Sequence, residues 1–303
     1  HYTYRDLRRR SSHVASYLFR TLGLKKGDRV GLCAQNRVEF FDLFFAAYKS
    51  GVILTTYNGR LTEKELSALA ENERPSVVLC GSEYLDKWEA IRQSASKPPV
   101  LVDLDASGPG SYEDWLRAPI DLPEFVPCAE DILMLIHTGG TTGVPKAAML
   151  SYRAITNNSI STVLTHNLTP NDATYLMLPL FHTAAWNSVS LGILLAGGRL
   201  VLRHKFDVDA TYDIIDAIRP SFLLGVPTMY QAMARSPRFQ TTDFSSLKAL
   251  RCGAAPLPMA LFQTYDARGL PLCNAYGLTE CGPSNFSFAM HLVTQDILRE
   301  KAG

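Results

Sequence analysis

Short β-rich apolar runs alternate along this chain with longer amphipathic segments, and that alternation constrains the fold more than any other feature. The segment 3–21 reads as a helix opened by a capping box of Thr3 and Asp6, and the run 29–34 as a strand. A helix at 39–50 closed by Gly51, a strand at 52–56, a helix at 62–72 opened by Thr62 and Glu65, and a strand at 77–80 follow. Further strands are expected at 100–103, 132–136, 174–177, 200–202, 222–224, 249–252 and 272–274, most of them separated by helical patterns, one starting at Ser151. Strands bridged by helices pair in parallel, because each crossover returns the chain to the same edge of the sheet. The chain is therefore expected to be α/β, and so many strands predict two mostly parallel sheets flanked by helices rather than one. The expected division falls within 165–172, with a first α/β subdomain at 1–168, a second at 169–303, and the helix at 3–21 able to pack on either. Residues 104–130, rich in Pro, Gly, Ser and Asp, read as one long connection.

Composition narrows the function classes. A chain of 303 residues with 47% apolar residues can bury a sizeable core. Its net charge of +1, spread along the chain, gives no reason to expect nucleic acid as a partner. Arg8, Arg9 and Arg10 are consecutive, but on a helix neighbours point about 100° apart, so they read as a solvated helix end. The six cysteines, Cys33, Cys80, Cys128, Cys252, Cys273 and Cys281, show no CxxC spacing and lie mostly in or beside apolar runs, which suits small buried hydrophobes in a reducing cytosol. The longest apolar stretch, 189–202, is broken by Gly192, Gly197, Gly198 and Arg199, so no membrane span is expected. The chain begins at His1 with neither a signal-peptide core nor a transit composition, and reads as a cytoplasmic protein trimmed at its front. No HExxH or comparable histidine spacing points to zinc.

Residues 138–146 read Thr-Gly-Gly-Thr-Thr-Gly-Val-Pro-Lys, after the apolar run 132–136 and ahead of a segment, 147–150, expected to lead into a helix. Gly139, Gly140 and Gly143 permit positive φ and close approach to a ligand, Thr138, Thr141 and Thr142 add donors, and Lys146 adds a cation. That chemistry suits a polyphosphate. The Walker pattern is excluded, because it places Lys directly after the last glycine and Ser or Thr after that, whereas Val144 and Pro145 intervene here. Taken alone, the segment also fits an ordinary strand-to-helix loop.

Together with 274–280, Asn-Ala-Tyr-Gly-Leu-Thr-Glu, the loop resembles the paired signature of the adenylate-forming superfamily, particularly the AMP-binding acyl-CoA synthetases of the fatty-acyl-CoA ligase type. Further matching segments stand at 4–7, 179–183, 226–228 and 253–257, in the family's order. The resemblance covers essentially the whole chain. In the family the sequence continues with a ribose-binding Asp motif, a hinge and a small mobile domain with a catalytic lysine, so this chain is expected to match the large N-terminal domain alone.

The resemblance implies a role for each matched residue. Thr138, Gly139, Gly140, Thr141, Thr142, Gly143 and Lys146 would hold the β- and γ-phosphates of ATP. Asn274 and Tyr276 would read and stack on adenine, with Gly253, Ala254, Ala255 and Gly277 lining the base site. Thr279 would contact the α-phosphate and Glu280 would bind Mg²⁺, a hard cation that takes one or two carboxylates plus phosphate oxygens. His182 stands where these enzymes place a histidine or aromatic at the carboxylate end of the acid pocket, and Trp186, Gly277 and Leu278 are candidates for the acyl wall, Trp186 equally reading as core. Phe181-His182 offers no carboxylate to an ammonium, and burying an unpaired ammonium is costly, so an amino-acid substrate is disfavoured. Ala147 replaces a usual Gly, Tyr152 a frequent His, and Cys252 a common Gly or Ser; Cys252 reads as a buried thiol, since a nucleophile needs an activating base. The implied reaction joins a carboxylic acid, a fatty acid first and an aryl acid second, to AMP at the expense of MgATP, and then to CoA. Alternatives are a carrier-loading or luciferase-like adenylate former, or a nucleotide- and acid-binding module with little turnover.

Overall fold

The computed structural model describes residues 1–138, 146–282 and 286–287, and the chain divides into two compact units, His1–Arg153 and Ala154–Gly303. The division falls earlier than the expected 165–172.

The first unit opens with α1 (Tyr4–Ser16), whose N-cap Thr3 accepts from the Asp6 N–H while Asp6 accepts from the Thr3 N–H, the reciprocal box that its sequence predicts. A wider turn, Tyr17–Thr21, extends it. Then come β1 (Arg29–Cys33), α2 (Glu39–Ser50), β2 (Ile53–Thr56), α3 (Glu63–Glu73), β3 (Val77–Cys80), α4 (Leu85–Ser94), β4 (Val100–Asp103), a short α5 (Tyr112–Trp115), β5 (Ile132–Thr138) and β6 (Lys146–Ser151). Gly51 ends α2 at φ 76°, in the left-handed region where a Cβ is unwelcome. The sheet order is β4-β3-β1-β2-β5-β6, parallel through β5 and antiparallel at β6. Two elements depart from expectation: α5 interrupts the long connection, and 146–151 forms a strand where a lead into a helix was expected.

α1 packs on α2 within this unit. Arg10 lies against the fully buried Asp42 (2.6 Å), which also accepts from the Tyr112 hydroxyl (2.9 Å), so the expected solvated arginine is instead half of a buried ion pair tying α1, α2 and α5 together. Behind β1 and β3, Tyr57, Leu66, Leu69, Val78, Trp88 and Ile91 form one apolar cluster. Each such buried side chain contributes roughly 1.5–3 kcal/mol. A Cβ at Gly31 would come within 2.7 Å of the Tyr57 ring, so that glycine makes room for the tyrosine.

The second unit begins with α6 (Tyr152–His166), whose first residues belong to the preceding unit. It continues through β7 (Ala173–Leu176), α7 (Thr183–Ala185), a wider turn Trp186–Ser190, α8 (Leu191–Leu195), β8 (Arg199–Leu202), α9 (Val208–Ile218), β9 (Phe222–Gly225), α10 (Pro227–Arg235), α11 (Arg238–Thr241), β10 (Ala249–Cys252), α12 (Met259–Asp266), β11 (Leu272–Tyr276) and β12 (Phe286–Ser287). The order is β12-β11-β10-β9-β7-β8, again parallel except for the antiparallel β12. Three core tyrosines satisfy their hydroxyls on backbone carbonyls: Tyr212 on Met233, Tyr230 on Arg251 and Tyr265 on Tyr230. Each sheet is built from one continuous stretch of chain. Among the described residues no helix is long and apolar enough to cross a membrane.

Candidate active site

The segments singled out from the sequence in the second unit gather at the carboxyl ends of parallel strands: 179–183 after β7, 226–228 after β9, 253–257 after β10, and 274–280 across the end of β11. Parallel α/β sheets bind ligands at that edge, at the point where successive connections leave in opposite directions. Here β7 connects towards β8 and β9 connects the other way, towards β10, which puts the divergence between β7 and β9.

The backbone sets the floor of this edge. Gly253 is buried, and a Cβ there would lie 3.3 Å from the Ala275 carbonyl oxygen, tighter than ordinary contact. Ala254 next to it holds φ at 65°, a left-handed conformation that costs an L-residue roughly 1–2 kcal/mol. Ala254 and Ala255 are exposed. Asn274 sits opposite Cys252 in the β10–β11 register with its side chain exposed. Tyr276 is exposed and lies across from Phe286, ring centroids 6.0 Å apart. Gly277, Leu278 and Glu280 are exposed and Thr279 is half-buried, the last two on a single 3₁₀ turn, Thr279–Cys281. The edge thus presents an amide, an open aromatic face, a hydroxyl and a carboxylate over small residues.

His182 is exposed at the N-cap position of α7, its ring 4.6 Å from that of Phe181. Trp186 is fully buried and its indole N–H donates to the Leu180 carbonyl at 2.6 Å, which is the core reading of that residue rather than the wall of an open tunnel. Cys252 is also fully buried, and burial pushes its thiol up to about 12, so it is a packing residue and no nucleophile. Cys33, Cys80 and Cys273 are buried likewise, whereas Cys128 and Cys281 are exposed.

In the first unit, Thr138 ends β5 and stands opposite Lys146, the first residue of β6. Gly139, Gly140, Thr141, Thr142 and Gly143 lie outside the described residues. The motif therefore joins two antiparallel neighbours instead of a strand and a helix. Thr138 is half-buried and Lys146 is exposed, their Cα atoms about 4.5–5.5 Å apart by strand geometry, so a hydroxyl and a cation flank the mouth of the loop. The two replacements near it fit their surroundings. Ala147 pairs with His137, and Tyr152 is buried with its hydroxyl donating to the Ala47 carbonyl at 3.1 Å. Sequence reasoning passed over His137, although it directly precedes Thr138 in a strand, where a side chain turned inward can carry weight. Its ring reaches the Thr56 carbonyl oxygen and Glu73.

Known proteins resemble this chain throughout. The AMP-binding enzyme family matches residues 1–300. A feruloyl-CoA synthase of Amycolatopsis sp is 34% identical over 281 residues, covering 93% of this chain and 55% of that protein. The long-chain-fatty-acid–CoA ligase FadD13 of Mycobacterium tuberculosis is 31% identical over 303 residues, 99% of this chain and 58% of the ligase. The crystal structure of ATP-bound MatB from Rhodopseudomonas palustris superposes with a TM-score of 0.83 at 29% identity, covering 94% of this chain and 57% of MatB. The chain spans somewhat more than half the length of the curated relatives it matches. With the paired motifs, both sheets and the match all in agreement, the chain belongs to the AMP-binding enzyme family.

Proposed function

We propose that this chain supplies the nucleotide- and acid-binding part of an AMP-forming acid–thiol ligase. A carboxylate oxygen attacks the α-phosphorus of ATP, pyrophosphate leaves, and the CoA thiol then attacks the acyl carbon and displaces AMP. The observation that carries this reading is the placement of both motifs. Each stands where the last parallel strand of a sheet gives way to its antiparallel edge strand: Thr138 and Lys146 at the facing ends of β5 and β6, and 274–280 running from the end of β11 towards β12.

In this assignment Thr138, Lys146 and the loop between them hold the β- and γ-phosphates, where oriented donors and one cation neutralise charge that moves onto pyrophosphate. Asn274 meets the exocyclic amine of adenine, the exposed face of Tyr276 stacks on the ring, and Gly253, Ala254 and Ala255 leave space for it. Thr279 donates to the α-phosphate. Glu280, a single exposed carboxylate, suits Mg²⁺ bound with phosphate oxygens and water as its remaining ligands. That ion would supply charge neutralisation at the phosphates. His182 faces the reacting carboxylate and Leu278 lines the acyl chain.

The acid itself is read as one without a charged α-substituent, a medium or long fatty acid first, in keeping with the likeness to FadD13. The higher identity to a feruloyl-CoA synthase favours an aryl acid as a second reading. Calorimetry of ATP with and without Mg²⁺ tests the nucleotide site, and a series of non-hydrolysable acyl-adenylate mimics, alkyl and aryl, ranks the acids. Tightest binding by a C8–C16 alkyl mimic is expected. An aryl mimic binding tighter replaces the first reading with the second, and no nucleotide binding by the folded chain sinks the proposal.

A further inference from the structure

His137 is the penultimate residue of β5, and its ring is tied at both nitrogens. Nδ1 lies 3.1 Å from the carbonyl oxygen of Thr56, the last residue of β2, and Nε2 lies 2.5 Å from Glu73 Oε1 at the end of α3. The other carboxylate oxygen of Glu73 accepts from the Thr55 hydroxyl at 2.9 Å and the Tyr57 hydroxyl at 2.8 Å. The Tyr57 ring stacks on the imidazole, centroids 5.1 Å apart and planes 25° from parallel. Both members of the pair are buried, with side-chain exposures of 8% for His137 and 3% for Glu73.

A carbonyl only accepts, so Nδ1 is the donor to Thr56, and Nε2 shares a hydrogen bond with Glu73 Oε1. The ring is thus tied at both nitrogens. Its position matters because the backbone register of β2 and β5 ends at Thr56↔Ile136. Beyond that point β5 is held on the β2 side by the His137 side chain, and the next residue is Thr138, opposite Lys146.

We propose that His137 and Glu73 are positioning residues for the polyphosphate grip, holding the carboxyl end of β5 so that Thr138 and Lys146 stand at the spacing the β- and γ-phosphates require. This rests on the nucleotide reading above. It extends that reading to α3 and β2, elements that touch no ligand in it. A small displacement of a charge-binding frame is costly, since misplacement by about 1 Å can lower a rate about 100-fold.

The test compares ATP, inorganic pyrophosphate and AMP by calorimetry on the wild-type chain, His137→Leu, the double variant His137→Leu with Glu73→Leu, and Glu73→Gln. The double variant leaves no carboxylate buried without its partner and guards against simple unfolding, which thermal melts monitor. Glu73→Gln keeps every contact, because its amide donates to Nε2 and its carbonyl accepts from Thr55 and Tyr57. ATP and pyrophosphate are expected to weaken about tenfold or more in both His137 variants, with AMP within about twofold and Glu73→Gln within about threefold of wild type. Wild-type ATP affinity in both folded His137 variants overturns the proposal, and so does equal weakening of ATP and AMP, which marks a merely structural pillar. A wild-type chain that binds none of the three overturns the nucleotide reading itself, a separate and recognisable result.

Discussion

The two sheets meet the same architectural demand with different backing. Each sends its candidate motif out from the last parallel strand into an antiparallel edge strand. In the first unit the ladder runs from Thr138↔Lys146 to Ile132↔Ser151, and buried polar groups there are matched, Glu73 hydrogen-bonded to His137 and Asp42 ion-paired with Arg10. In the second unit the edge ladder consists of Ala275↔Ser287 and Tyr276↔Phe286 among the described residues. Arg251 on β10 is fully buried against His166 and the Phe222 ring, with no carboxylate paired to it among the described residues, and burial lowers its pKa. The contrast follows the ligands each edge is proposed to take. A triphosphate tail concentrates charge, and donors aimed at it must already be fixed when it arrives. A base and an acyl chain are recognised largely by contact area, which exposed side chains such as Tyr276 and Leu278 supply without a braced frame.

The largest effect expected concerns the buried charges. Asp42→Ala strands the Tyr112 hydroxyl, leaves Arg10 only its 3.9 Å contact with Glu39, and should destabilise the chain by about 3–5 kcal/mol, whereas Arg251→Met, which removes a buried cation with no acid beside it among the described residues, should cost under about 1 kcal/mol. Denaturant midpoints at constant slope decide this; equal losses would mean that the second unit is braced as well and would break the comparison. Next comes Lys146→Ala, expected to lower kcat/KM for acid adenylation about 100-fold while leaving AMP affinity in place. Glu280→Ala should instead abolish the Mg²⁺ dependence of ATP binding, and matching phenotypes in the two variants would merge the two edges into one function. Tyr276→Ala should weaken AMP and ATP alike by about 1–3 kcal/mol, the worth of one stacked base, with Phe286→Ala costing less, about 0.2–1 kcal/mol as a cross-strand pair. The smallest change is Ala254→Gly, which relieves the left-handed alanine and should raise thermal stability by about 0.5 kcal/mol; a lower melting temperature would show that the alanine methyl packs usefully there.

Much of the fold was legible because local signals agreed with tertiary pairing. Thr62 and Glu65 announce α3, Gly51 ends α2, and the apolar runs at 77–80 and 222–224 form strands paired on both sides. The strand at 146–151 was not, since Lys-Ala-Ala-Met-Leu-Ser has weak β propensity and becomes a strand through pairing with β5. Arg10 was misjudged for a related reason, because its partner Asp42 is distant in sequence and no helix-periodicity argument reaches it. The candidate site is readable from the sequence where residue type and spacing themselves carry the chemistry, as proposed for 138–146 and 274–280. His137 escaped because its importance lies in Thr56 and Glu73, which come from two other elements. Trp186 was legible only as an alternative, since a large aromatic in an apolar helix suits a wall and a core equally until its indole N–H is seen to be satisfied by Leu180.

The contiguity of each sheet along the chain also bears on biosynthesis. Strands β1 to β6 all come from residues 29–151, so nothing in the first sheet waits for the second. A polypeptide leaves the ribosome at about 5–20 residues per second and its N-terminal domain folds first. Thr55, Tyr57 and Glu73 emerge before the β5–β6 hairpin that carries His137, and all are complete before β7 has been made. A nascent chain stalled after α6 therefore already contains every residue of the β5–β6 hairpin and of its contacts with Glu73, while β11 and the segment after it are still untranslated.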